Sequence, residues 1–334
     1  MNYRRTLLSI GITLFLSTPA FAYDLSYEEY TSEDLAVVKK AETSTDAEVI
    51  YNAANILMSE SMMQENIEQG IKYLNQLAEN NHPKATLTLA DYYYEEEEDY
   101  TKALKLYHQL ESSQDPYVLY SLGIMYFDGE GTAQDYEKGN EYYLAAAKLG
   151  YSDAMYQLAF SYNDGQGVKQ DFTEAAKWFQ KSADQGDASA MYNLGIAYLN
   201  GEGVKKDCAR AIQFFEKAIE TDEHARSYAK LGDIYYYTDY KAQCGFKKTD
   251  YKKSLAYFTQ GAMRGNEYSQ YMVGYSYRNG HGTYSNFKTA LAWYNIAEDN
   301  GYDASSEIKD VKQYMSADDI AKAAQLQQEI YDKI

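Results

Sequence analysis

Apolar residues along this chain recur at three- and four-residue steps and rarely alternate, so the pattern predicts helices and no sheet. Residues 153–186 show the unit. Ala154, Leu158, Ala159 and Tyr162 fall on one helical face. Gly165 then stands where a helix end calls for a left-handed residue, a conformation glycine adopts without steric cost. Gly167 and Val168 carry the chain round a turn, and Asp171 with Glu174 reads as a capping box for a second helix. Ala175, Trp178, Phe179 and Ala183 form its apolar stripe, and Gly186 ends it. Two short helices cannot hide these stripes from water alone. Stacking on a neighbouring pair does so.

The unit recurs. Gly129-Glu130-Gly131 returns as Gly165-Gln166-Gly167 and Gly201-Glu202-Gly203, each shifted by 36 residues. Tyr142, Trp178 and Phe214 follow the same step, as do Gly150 with Gly186, Ala154 with Ala190, Tyr257 with Trp293 and Gly265 with Gly301. From Phe214 to Tyr257 the step is 43, so one repeat carries seven extra residues. The expected fold is all-α: a right-handed α/α superhelical solenoid of about seven helix-turn-helix repeats with a C-terminal capping helix.

The pattern A-x-x-x-L-G-x-x-Y-x-x-G-x-G, followed by D-x-x-x-A-x-x-W-[FY]-x-x-[AS]-A-x-x-G, resembles the Sel-1-like repeat, a relative of the tetratricopeptide repeat. Residues 187–220 carry it as Ala190, Leu194, Gly195, Tyr198, Gly201, Gly203, Asp207, Ala211, Phe214 and Ala218. The expected organisation is a leader at 1–22, a lead-in or capping segment at 23–46, two tetratricopeptide-like repeats over 47–115, five Sel-1-like repeats over 116–301 with an insertion at about 238–249, and closing helices over 302–334. In the first two repeats the glycine pair is missing; Ala85, Leu89, Ala90, Tyr93, Ala103 and Tyr107 keep a spacing nearer the tetratricopeptide unit. The resemblance implies a scaffold or adaptor that binds another protein.

The N-terminus sets the compartment. Arg4 and Arg5 precede an apolar run from Leu7 to Leu16, then Pro19 and Ala20-Phe21-Ala22, the grammar of a cleaved secretory leader. The run falls short of the roughly 20 residues a membrane span needs. Cleavage is expected near Ala22 and the mature chain in the periplasm. With 31 Lys and Arg against 50 Asp and Glu the net charge is −19, and loss of the leader arginines makes it more negative. Such a chain repels phosphate and anionic lipid, so nucleic acid and membrane insertion are set aside; the charge suits a basic partner surface or equally the solubility of an extended protein, and the unbound chain is expected to be a monomer.

Export also bears on the two cysteines. Cys208 starts a second helix and Cys244 lies in the insertion. Equivalent points on stacked helices lie roughly 8–10 Å apart, beyond disulfide reach, and the extra residues supply the difference. A Cys208–Cys244 bridge is expected in an oxidising compartment.

The first helix of each repeat is expected to line an inner groove, and its non-core positions are the candidate partner-binding residues. They are Tyr117, Tyr120 and Phe127 in one repeat, then Tyr156, Gln157 and Phe160, then Tyr192 and Asn193. Tyr236 and Tyr237 follow, then Tyr268, Tyr271, Tyr275 and Arg278. Rings with a polar tip serve as interface anchors; packing between neighbouring first helices is the other reading of each tyrosine. The acidic run Glu95 to Asp99 reads as a solvated turn or as a contact for a basic surface.

Catalysis is weighed because some relatives are linked to β-lactam hydrolysis. S-x-x-K occurs at Ser227, Ser285 and Ser306 with Lys230, Lys288 and Lys309, but no K-T-G follows, and Lys248-Thr249-Asp250 ends in an acid. The histidines at 82, 108, 224 and 281 are dispersed and give no metal-ligand pair. No catalytic residue, metal or cofactor is expected. The functional expectation is a periplasmic scaffold or adaptor. An immunity protein that neutralises an exported effector, such as a phospholipase, is the alternative, and a β-lactam hydrolase comes last.

Overall fold

A computed structural model describes residues 30–59 and 64–334 of the chain. The expected leader at 1–22 lies outside the described residues. Among those, the regular structure is helical throughout, with no strand. A lead-in helix, α1 (Ser32–Ala41), precedes seven helix pairs. These are α2 (Ala47–Ser59) with α3 (Gln64–Glu79), α4 (Pro83–Glu95) with α5 (Tyr100–Leu110), and α6 (Pro116–Asp128) with α7 (Tyr136–Lys148). Next come α8 (Ser152–Asp164) with α9 (Phe172–Ala183), and α10 (Ala188–Asn200) with α11 (Cys208–Asp222). The sixth pair, α12 (Ala225–Tyr236) and α14 (Tyr251–Ala262), encloses an extra short helix, α13 (Thr238–Cys244). The seventh is α15 (Glu267–Asn279) with α16 (Phe287–Asp299), and α17 (Ser305–Lys312) and α18 (Ala317–Tyr331) close the chain. None of the helices in the described residues is long and apolar enough to cross a membrane.

The chain divides into two compact units, up to Tyr142 and from Tyr143 on. In the first, one continuous core joins Val38, Leu57, Leu74, Leu89, Tyr107 and Leu122. The second holds a series of smaller clusters, among them Ala159, Phe179 and Leu194, then Leu199, Phe215 and Leu231, then Phe258, Val273 and Ile296. Ala154, Leu158, Ala159, Ala175, Phe179 and Ala183 are all buried. Trp178, whose place in the apolar stripe predicts burial, is half exposed, and Lys181 lies 3.5 Å above its ring centre.

The turn within a pair is fastened twice. Gly129, Gly165, Gly201 and Gly280 take the left-handed conformation at the end of a first helix. The capping residue of the second helix donates its own N–H back to a first-helix carbonyl: Asp171 to Tyr162 at 2.8 Å, Asp207 to Tyr198 at 2.9 Å, Asn286 to Tyr277 at 2.8 Å. That bond leaves the expected capping box half made. Asp171 accepts from the N–H groups of Thr173 and Glu174, but Glu174 has no free Asp171 N–H to take and pairs with Lys177 at 2.5 Å instead.

Many tyrosines serve this architecture on the second-helix side. Tyr126 stacks on Tyr142, Tyr198 on Phe214 and Tyr235 on Tyr257, with Lys138, Arg210 and Lys253 over the rings. Each such cation contributes about 0.5–1 kcal/mol where exposed.

Candidate functional site

The first-helix residues nominated from sequence are half-buried, except Tyr237, which is 41% exposed. In the second unit they form two groups. Tyr156 and Phe160 lie edge to face, 4.8 Å between centres, over Phe179, and the Asn193 amide donates to the Ser189 carbonyl at 2.9 Å and to Tyr156 Oη at 3.5 Å. Tyr192 packs against Phe215 and His224, and Gln157 is half-buried beside the first group. Further along, Tyr236, Tyr237, Tyr268, Tyr271 and Tyr275 make a connected run of rings, and Arg278 is paired with Asp310. In the first unit Tyr117 donates to Asp91 at 3.2 Å, Phe127 meets Tyr136, and Tyr120 is half-buried.

Many of the tyrosine tips reach across to a neighbouring repeat or to the closing helix α17. Tyr94 donates to Glu130 at 2.7 Å, Tyr142 to Glu111 at 2.9 Å, Tyr268 to Asp233 at 2.8 Å and Tyr271 to Glu307 at 3.2 Å. These rings therefore both join repeats and offer a partly open edge.

Two acids lie among these first-helix positions, one in each unit. Asp91 and Asp233 occupy the position held by Ile124, Phe160 and Ile196 in the intervening repeats. Burial pushes both carboxyls above the ordinary range, while hydrogen bonds from Tyr107 and Tyr117 on one, and Lys230 with Tyr268 on the other, pull back. Tyr117, itself pushed up to about 12 by burial, and Tyr268 are equivalent positions of the following repeat. An acid at an otherwise apolar position, with a tyrosine answering it one repeat later, was the signal available. The acidic run is also partly structural: Asp99 caps α5 at the Lys102 N–H, and Glu97 accepts from Tyr92 at 2.6 Å.

The second turn glycine has a role of its own. A Cβ on Gly131, Gly203 or Gly282 would strike the backbone carbonyl of Tyr100, Phe172 or Tyr251, in each case the first residue of the preceding repeat's second helix. The glycine is the joint between repeats. Repeat six lacks it and carries α13 in its place, and the residue it meets is Cys208, the first of α11. Cys208 is bonded to Cys244 at the end of α13, with 5.1 Å between their Cα atoms. A covalent joint stands where the third, fifth and seventh repeats use glycine contact.

Ser227 has a partner that its S-x-x-K context did not reveal. Its hydroxyl lies 2.9 Å from His224 Nδ1, three residues back across the start of α12. The serine is fully buried, and burial, then Arg226, holds the imidazole below its ordinary value. Lys230 is held by Asp233 at 3.2 Å. As placed, this pair ties down a helix start. Ser285 and Ser306 are exposed and bonded to the Arg278 carbonyl and to Glu307. Among the described residues no three His, Cys, Asp or Glu side chains converge as metal ligands.

The geometry defines a class: an all-α solenoid of paired helices. The Sel1 repeat model matches residues 47–82, 83–111, 116–151, 152–187, 188–220, 225–266 and 267–302, and the chain belongs to the Sel1 repeat family. The same model thus takes in the two N-terminal repeats that lack the glycine pair. A Sel1 repeat protein from Oxalobacter formigenes is 27% identical, with 66% of this chain and 88% of that one covered and a TM-score of 0.59. An immunity protein from Pseudomonas aeruginosa is 16% identical over 62% of this chain and 76% of its own, with a TM-score of 0.41. A protective antigen of uropathogenic Escherichia coli with an SLR fold is 18% identical over 90% and 94%, with a TM-score of 0.33. A comparison with curated proteins found no match.

Proposed function

We propose that this chain is a non-catalytic, periplasmic protein-binding module that holds a partner protein against its first-helix face. The observation that carries the reading is the row of half-open rings with polar tips along α8, α10, α12 and α15, from Tyr156 to Tyr275, around which amides and paired charges alternate. Such rings give large contact area at little cost in side-chain freedom. The test is capture of a partner from envelope extract on the mature, oxidised chain, identified by mass spectrometry. Tyr156, Tyr237 and Tyr275 changed together to Ser should abolish capture while helicity by circular dichroism is kept. Capture that survives the triple change would refute the binding face.

The net charge of −19 supports a second reading within the same class, an immunity protein that caps a basic exported effector. Its distinguishing result is protection of a cell from one cationic toxin, with binding that weakens steeply as salt is raised.

A further inference from the structure

Consecutive first helices leave a notch near their C-terminal ends. It is bounded by the last turn of one first helix, the start of the second helix after it, and the turn of the next repeat. In several repeats a side-chain pair closes the mouth. Tyr94 donates to Glu130 at 2.7 Å and Tyr236 meets His281 at 2.7 Å; past the last repeat, Arg278 pairs instead with Asp310 of α17. Between α8 and α10 the corresponding residue is Asn163, whose side chain turns to Asp164 at 2.7 Å. The turn residue opposite, Glu202, is contacted by Asn200 instead, at 3.3 Å. What remains is a hollow of about 100 Å³ floored by Phe160, Phe179 and Ile196, with Asn163, Asn193 and Glu202 at its mouth.

The next notch along, between α10 and α12, is filled by the chain itself. Leu199, Cys208 and Lys230 stand there where Asn163, Phe172 and Asn193 stand one repeat earlier. Tyr240 of α13 packs with Tyr192 and Ile196 on the cluster of Leu199, Ala211 and Phe215, within electrostatic reach of Lys230. Gln243, three residues on and on the same side of the helical turn, donates to the Leu199 carbonyl. One turn of helix with a ring and a donor at i and i+3 is thus a shape this kind of notch accepts.

We propose that the open notch between α8 and α10 docks one helical turn of the partner protein, bearing an aromatic residue and, three positions on, a lysine or arginine. The proposal rests on the first-helix face being the binding face. The ring seats over Phe160 and Phe179 as Tyr240 packs on the cluster of Leu199, Ala211 and Phe215. The donor is basic because the carbonyl equivalent to the one Gln243 uses is already taken: Asn163 O accepts from Gln170 Nε2 at 2.8 Å. A side chain reaching out from the ring's next turn meets the acidic Glu202, and the chain's negative charge favours a cation there.

The probe is a helix-stapled peptide of this chain's residues 236–247 with Cys244→Ser, together with a second version that also carries Gln243→Arg, titrated by fluorescence anisotropy into the mature, oxidised protein. The arginine peptide should bind about fivefold more tightly than the glutamine one, as one partly exposed ion pair allows. The exposed change Glu202→Gln in the protein should remove that gain. Asn163→Tyr, which recreates the Tyr94–Glu130 closure, should weaken both peptides about tenfold or more by denying the ring its seat, with the melting temperature kept. Absence of binding at millimolar peptide, or affinities for wild type and Asn163→Tyr within about twofold, overturns the proposal. A partner that Asn163→Tyr still captures but the tyrosine triple does not would refute this docking site and leave the binding face standing. Capture that survives the triple removes both.

Discussion

Gly203→Ala isolates the joint between repeats. Gly203 has φ +68°, and a Cβ there would run into the Phe172 carbonyl and crowd the Thr173 nitrogen at 2.7 Å. Two costs add. A left-handed alanine costs roughly 1–2 kcal/mol. Overlap with backbone, which cannot rotate aside as a side chain can, forces a shift costing roughly 1–3 kcal/mol more. Gly265 is the control, with φ +78° and nothing within 4 Å of its Cβ position, so Gly265→Ala carries the first cost alone. We expect losses of about 3 and about 1 kcal/mol, a gap near thirtyfold in the unfolding equilibrium. Urea denaturation followed by ellipticity, fitted with one slope for wild type and both variants, measures it. Equal losses at the two positions would show that Gly203 is present for its conformation alone and that the joint is no joint.

Two further outcomes follow from the same geometry. Changing Cys208 and Cys244 together to Ser should cost about 3–4 kcal/mol, the chain entropy of a loop with 36 residues of separation, and the loss should match that of reduced wild type in the same denaturation. Asp91→Asn keeps an acceptor for Tyr107 and Tyr117 while removing a buried titration. The native carboxyl lies above its unfolded value of 3.8, so its stabilising contribution is complete below that pH and is lost as pH rises through the raised value. The melting temperature of the variant relative to wild type should therefore climb from about pH 4 to pH 7, and a flat difference would contradict the buried charge.

The helical period, the 36-residue step, the turn glycines and the paired cysteines were legible because each is local or repeats along the chain. A residue at i meets i+3 and i+4 whatever lies beyond, and a left-handed helix end selects glycine on the spot. The family resemblance followed from those marks alone. Even so, local reading had limits. The Asp171–Glu174 capping box looked complete until the Tyr162 carbonyl, nine residues back, was seen to take the Asp171 N–H. Trp178 shares its apolar stripe with Phe179, yet only Phe179 is buried.

Relations between repeats were decided in three dimensions. Nothing in the strings around Gly203 and Phe172 says that these two backbones touch, or that Cys208 stands at the same joint. From sequence each tyrosine reads as an anchor or as core; the structure leaves the nominated rings mostly half-buried and ties several hydroxyls to an adjacent repeat. Whether a notch is closed, filled or open depends on how far one side chain reaches across to another repeat: Tyr94 meets Glu130, and Asn163 turns aside. The sequence by itself determined the helices and their spacing, since those arise from forces within one or two turns. Tertiary structure alone decided which repeat leaves room for a guest, since that is set by side chains from separate repeats brought together by stacking.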